Sequence, residues 1–293
     1  MKHLIVHLRS ILLSTLLIMY LPYNIFSQEN DISRGKQPGL FIGLGLGPSQ
    51  TQLTNKGILS VSELLSVKRN SYFGSVEIGY FFSRYFGLSS GIGFNSYNTQ
   101  LTLDTYQNEF NTYDSENEAY ERLVSGSNIT EDQKVDFLNI PVSINIRLPF
   151  NNAIGFFLQT GVNLAIPFGK SYKSSGTFTY KGYYPSYNVL LENLPQYGFP
   201  SNVIIDSKGE LELKSLNFIA IASAGLDFFV MKKIQAVVAV YYDKSLSNIS
   251  QYPPPDNFQL SSDIDQINSL MEGSSKVTAQ SIGLSLSFRY YLY

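Results

Sequence analysis

The run Leu138-Asn139-Ile140-Pro141-Val142-Ser143-Ile144-Asn145-Ile146-Arg147-Leu148 puts an aliphatic residue at every even position and a polar residue or proline at every odd one. Side chains alternate across a strand, so this stretch has one apolar face and one polar face. The same period runs through seven other segments: Leu40 to Gly47, Ser75 to Tyr80, Leu88 to Asn95, Ile154 to Leu164, Leu216 to Val230, Ile234 to Asp243 and Ser281 to Arg289. Only the sixth of the eight is blurred, because Ile219 and Ile221 fall on the otherwise polar parity.

The connections alternate as well. Ser83 to Tyr85, Pro149 to Ala153 and Met231 to Lys233 are short, whereas those over about 49–71, 104–133, 168–213 and 246–275 are long. All short turns therefore fall at one end of the sheet and all long loops at the other. An even number of antiparallel strands with this order is the pattern of an outer-membrane barrel. A soluble eight-stranded barrel would turn its polar face to water. Here that face is mostly Gly, Ser and Asn with few charges, a compact filling for a narrow lumen and a poor exterior. The expected fold is all-β: an eight-stranded antiparallel transmembrane β-barrel with long extracellular loops and both termini in the periplasm.

Residues 1–27 read differently. Lys2 and Arg9 precede an apolar stretch from Ile11 to Leu21, and the small Ser27 follows before Gln28, as in a secretory signal. The alternative, an anchor helix, would have a short apolar core for a span. The expected division is a signal peptide over 1–27, a short periplasmic segment over 28–37 and the barrel over 38–293. Both histidines, His3 and His7, lie in the signal, and the chain has 0 Cys. The mature protein would then lack His–Ser and Cys–His catalysis, Cys- or His-ligated metal and disulfides. An enzyme would need a Ser–Lys or carboxylate pair, and the expectation is a non-enzymatic protein without a cofactor. With 21 basic and 23 acidic residues, bulk charge gives no attraction to nucleic acid.

Two sets of residues are candidates for function. Glu77, Arg147, Asp227 and Arg289 share the lumen-facing parity, and the last three lie near the short-turn ends of their strands. Those three are expected to share a layer in which opposite charges pair, and the set is read either as a structural plug or as a proton or substrate path. The 168–213 connection carries Tyr172, Tyr180, Tyr183, Tyr184, Tyr187 and Tyr197, candidates for recognition of a surface ligand. The same residues have a plainer reading as packing on the barrel mouth.

The 104–133 connection holds eight carboxylates against Arg122 alone. Asp114, Glu116 and Glu118 could offer oxygens to calcium, but the central Gly and terminal Glu of a calcium loop are missing, so a solvated acidic loop is expected. Gly43-Leu44-Gly45-Leu46-Gly47 has the look of a phosphate loop, yet no Lys or helix pattern follows it. Pro141 lacks a ladder donor, and a closed barrel offers no edge strand, so a local bulge is expected there. Tyr293 has the wrong parity for lipid, leaving Leu292, Tyr290 and Phe288 as the outward residues of the last strand.

The segment Phe137-Leu138-Asn139-Ile140-Pro141-Val142 resembles the strand entry of the PorT-like family of bacterial outer-membrane β-barrels. Gly161-Val162-Asn163, Gly225-Leu226-Asp227, Tyr241 to Ile249 and the ending Phe288-Arg289-Tyr290-Tyr291-Leu292 are similar to further segments of that family. The resemblance implies outer-membrane insertion, contact with lipid and no cofactor. From the family's named member it implies a role in type IX protein secretion, with envelope or secretion proteins as partners. The 168–213 connection departs from a minimal barrel. A monomer is the expected state.

Overall fold

The computed structural model describes residues 39–58, 64–252 and 258–292. The signal expected over 1–27, the periplasmic segment expected over 28–37 and Tyr293 lie outside the described residues. Ten strands follow in order: β1 (Gly39–Ile58), β2 (Leu65–Phe81), β3 (Phe86–Tyr113), β4 (Ala119–Pro149), β5 (Ile154–Tyr184), β6 (Val189–Glu192), β7 (Val203–Glu210), β8 (Asn217–Met231), β9 (Ile234–Ser245) and β10 (Ser274–Tyr291). Eight of them form an antiparallel ring, β1-β2-β3-β4-β5-β8-β9-β10, which closes where Phe41 pairs with Tyr291 and Leu46 with Leu286. The short strands β6 and β7 stand outside the ring and pair with β5. Closure gives each of the eight ring strands a neighbour on both sides and removes the exposed edges that an open sheet would present there.

Even-numbered residues face outward through the lower half of the ring. Leu40, Ile42, Leu44 and Leu46 are exposed on β1, as are Leu138, Ile140, Val142, Ile144 and Leu148 on β4. From Leu138 to Leu148 the strand climbs about 33 Å, which a tilt near 40° reduces to about 25 Å, the height of a hydrocarbon band. Aromatics, exposed except for the half-buried Phe94, border the band. Tyr72, Phe94 and Phe168 form a row at the loop side, with ring centroids 5.9 and 5.8 Å apart, and Tyr80, Phe82, Tyr85, Phe150 and Tyr290 lie at the turn side. Among the described residues no helix is long and apolar enough to cross a membrane.

Two sequence expectations change here. The segments read as loops over 49–71, 104–133 and 168–213 are largely strand: β1 runs to Ile58, and β3, β4 and β5 continue as a tall wall to Tyr113, Ala119 and Tyr184. Outside lipid no apolar face is demanded, so the alternation fades while backbone pairing continues. At Pro141 there is no bulge. Ser90 pairs with Val142 and Gly93 with Asn139 in one unbroken register, and only the bridges between them are omitted. The missing donor is absorbed by skipping bridges on the β3 side. The nearest register shift on β4 lies between Asp136 and Phe137, against β5.

Gly47 shows how tightly the ring is wound. A Cβ there would lie 1.8 Å from the Leu284 carbonyl oxygen of β10, so only glycine admits this approach of neighbouring backbones.

Candidate functional site

The lumen is filled in layers. At the turn end Phe41, Phe81, Phe229 and Tyr291 form a buried aromatic floor. On it lie the four charges singled out from the sequence. Arg147 Nε donates to Asp227 Oδ2 at 2.6 Å, and Arg289 Nε donates to Glu77 Oε1 at 2.7 Å. Gln235 Nε2 adds a 2.9 Å bond to Asp227 Oδ2, and Arg289 Nη2 donates to Asn145 Oδ1 at 3.1 Å. The guanidinium of Arg289 lies over Phe41 and Phe157 at 4.7 and 4.5 Å, and that of Arg147 over Phe229 at 4.9 Å. Planar guanidinium suits this double duty of carboxylate pairing and ring stacking.

Above the charges is a polar cavity of about 120 Å³, walled by Glu77, Asn95, Asn139, Ser143, Gln159 and Asp243 among others. Tyr97 Oη reaches across from β3 and donates to Asp243 Oδ1 at 2.8 Å. Ile219, blurred in the sequence, faces inward above this level in an apolar layer with Leu53, Val135, Phe137, Tyr172, Leu213 and Val277.

The loop end is closed by a part of the chain that sequence reading did not single out. Residues 258–273 fold down into the barrel mouth, where Phe258, Leu260, Ile267 and Leu270 pack on Leu101, Leu103, Tyr106, Ile129, Phe178 and Tyr180. The fully buried Glu131 holds this plug. Its carboxylate accepts from Ser269 Oγ at 2.8 Å, Leu270 N at 2.9 Å, Ser174 Oγ at 2.7 Å and Gln133 Nε2 at 2.6 Å. Burial nevertheless outweighs the four donors and lifts Glu131 above the ordinary carboxylate value. Glu131 thus leaves the set of solvated loop acids. The available signal was the apolar content of 258–271 in a connection otherwise polar, which has to be buried somewhere.

The six tyrosines separate. Tyr172 and Tyr180 are buried in the two apolar layers, which corrects their place among surface candidates. Inward alternation on the extended β5 accounts for it. At the tip of the wall Tyr183 and Tyr184 are half-buried, and Tyr184 stacks on Tyr120 at 5.1 Å. Tyr187 and Tyr197 are exposed, at 62% and 68%, beside Tyr113 at 67%. Asp114 is occupied by its own turn. It accepts from the Glu116 and Glu118 backbone amides at 2.9 Å each and from Tyr184 Oη at 3.1 Å. The Glu118 amide, first among these, holds Asp114 below the usual carboxylate value, while burial and then Asp114 push Tyr184 up to about 12. No group of three or more His, Cys, Asp or Glu placed to hold a metal ion occurs among the described residues.

A family model described as an outer membrane protein beta-barrel domain matches residues 26–251, well over half of the chain. The chain belongs to that family. The protein is an outer-membrane β-barrel, and its alternating apolar face is the lipid face. It is similar in fold to OprG of Pseudomonas aeruginosa, at 12% identity over 90% of this chain and 100% of that one, with a TM-score of 0.40. Neisserial surface protein A follows at 8% identity over 86% and 97%, with a TM-score of 0.35, and the outer membrane protease OmpT of Escherichia coli at 9% over 87% and 97%, with a TM-score of 0.33. No curated protein matches the chain.

Proposed function

We propose that this barrel is a non-enzymatic surface protein that engages its partner through the tip of the β3-β4-β5 wall, with the lumen serving as a structural plug. One observation carries the reading. Aromatic floor, charged layer and plug close the lumen, while Tyr113, Tyr187 and Tyr197 stand exposed at the far end of the molecule. From Phe94 at the lipid border to Tyr113 the strand runs about 60 Å, which lifts the tip well clear of the membrane. Tyrosine brings wide contact area and a hydroxyl at little conformational cost, which suits recognition of a peptide or glycan surface. With His3 and His7 the only histidines and no Cys, the usual nucleophile–base pairs have no residues to draw on in the barrel. Export by a signal over 1–27 belongs to the same reading.

Point changes test it better than deletion of 168–213, because deletion would remove the part of β5 that carries Phe178 and Tyr180. A photo-crosslinker at Tyr197 in intact outer membranes is expected to capture one discrete partner. Capture should vanish in Tyr113→Ala/Tyr187→Ala when the barrel inserts normally. Unchanged capture and an unchanged envelope phenotype in that variant would contradict the reading. A second reading, accessory function in type IX secretion, is favoured by the PorT-like strand entry Phe137 to Val142. It requires that loss of the protein block release of type IX cargo.

A further inference from the structure

The charges of the lumen do not balance. Glu77 is paired with Arg289 and Asp227 with Arg147, but Asp243, 1% exposed, has no ion pair among the described residues. Its partners are neutral: Tyr97 Oη at 2.8 Å on Oδ1, Ser281 Oγ at 2.8 Å and Asn95 Nδ2 at 3.3 Å on Oδ2. The Ser281 backbone amide is a further neutral donor, so hydrogen bonds surround the carboxylate while no cationic side chain among its partners balances its charge. Asp243 lines the 120 Å³ cavity together with Asn139 and Ser143. Those two are 2% and 1% exposed, yet Asn139 Oδ1, Asn139 Nδ2 and Ser143 Oγ have no protein partner. Buried polar atoms left unpaired cost about 1–3 kcal/mol each, so the cavity must hold something polar.

We propose that this cavity is a binding site for a monovalent metal cation, sodium or potassium, with Asp243 supplying the charge, Asn139 a neutral oxygen and Ser143, about 13 Å further along the same strand, acting through bridging water. One unpaired carboxylate among amides and hydroxyls neutralises a single positive charge. A calcium ion calls for more carboxylates and six to eight oxygens, and would leave the site with excess charge. The volume exceeds that of one ion, so water completes the shell. The site owes nothing to the crown and stands whether or not the tip binds a partner.

The test uses the full barrel refolded in choline chloride and then equilibrated with sodium, potassium or choline chloride at one ionic strength. A ligand bound only to the folded state lowers the apparent unfolding constant in proportion to its concentration above the dissociation constant. Sodium or potassium is therefore expected to raise the heat-unfolding midpoint and choline to leave it unchanged. Asp243→Asn should abolish the difference, and Asn139→Ala/Ser143→Ala should weaken it. Thallium(I), a potassium mimic, gives a direct reading: an anomalous scattering peak inside the cavity is expected, displaced by potassium. Equal midpoints of the wild type in all three salts would overturn the proposal, showing that the cavity holds water and Asp243 a proton. A cation dependence that survives in Asp243→Asn, or thallium bound only elsewhere, would overturn it equally. If Asp243→Asn fails to refold, the double variant and the thallium peak decide.

Discussion

Replacing Arg147 by Met tests whether the charged layer is dry. Arg147 Nε lies 2.6 Å from Asp227 Oδ2, and the two side chains are 5% and 0% exposed. Met fills much of the same volume and keeps an apolar contact with Phe229, but it leaves Asp227 with the Gln235 amide as its main donor. Removing one partner of a buried pair costs about 3–5 kcal/mol, because the remaining charge stays desolvated. At about 1.4 kcal/mol per factor of ten, the unfolding constant should rise by roughly a hundred- to several-thousand-fold. Replacing both partners, Arg147→Met with Asp227→Leu, should recover most of that loss, since an apolar pair of similar volume is often neutral. Urea unfolding of the wild type, Arg147→Met, Asp227→Leu and the double variant in lipid vesicles, followed by the gel shift between folded and unfolded barrel, gives the coupling directly. A loss below about 1 kcal/mol in Arg147→Met, in the range of exposed pairs, would show that water reaches the layer and refute the dry-lumen reasoning.

Other consequences follow from single contacts. Gly47→Val should prevent or severely slow folding, because the new Cβ meets the Leu284 backbone oxygen at 1.8 Å, where no side-chain rotation gives relief; normal insertion of this variant would show that β1 and β10 are less closely wound. Glu131→Gln puts an amide donor among four donors, so the plug should loosen by about 1–3 kcal/mol and residues 258–273 become protease-sensitive in the folded barrel; unchanged resistance would remove Glu131 as its anchor. Tyr184, pushed up to about 12, favours the fold fully below the ordinary tyrosine value of 10.0 and loses that contribution as pH rises toward about 12. Difference absorbance between wild type and Tyr184→Phe should place its ionisation late, and Asp114→Asn should bring it earlier; an unshifted Tyr184 would mean that the Asp114 contact is not populated.

The lipid-facing strands were legible because the bilayer imposes one rule on every second residue. Leu138 to Leu148 obeys it without exception, and the same parity places Glu77, Arg147, Asp227 and Arg289 on the inner face. Outside lipid the rule lapses. On β3, Leu103 and Tyr106 are both buried while Asp104 and Thr105 are both exposed. On the paired stretch of β4, Asn128 takes a φ of 52° and the inward parity changes there too, from Ile129 to Gly126. The two strands exchange faces in step, so neither shows a broken register to a reader of sequence. Tyr172 and Tyr180 were misplaced for a related reason: a long aromatic-rich connection reads as a loop until the strand continuing through it is known. The plug over 258–273 has no period, because it is neither strand nor helix. Its contact with Glu131 spans 138 positions in the chain, beyond any local pattern.

Planar-bilayer recording of the purified full barrel tests the closed lumen most directly. With the aromatic floor, the paired charges and the plug in place, the expected result is an intact bilayer with inserted protein and no stable large conductance. A reproducible, wide, open channel from folded wild-type protein would contradict it.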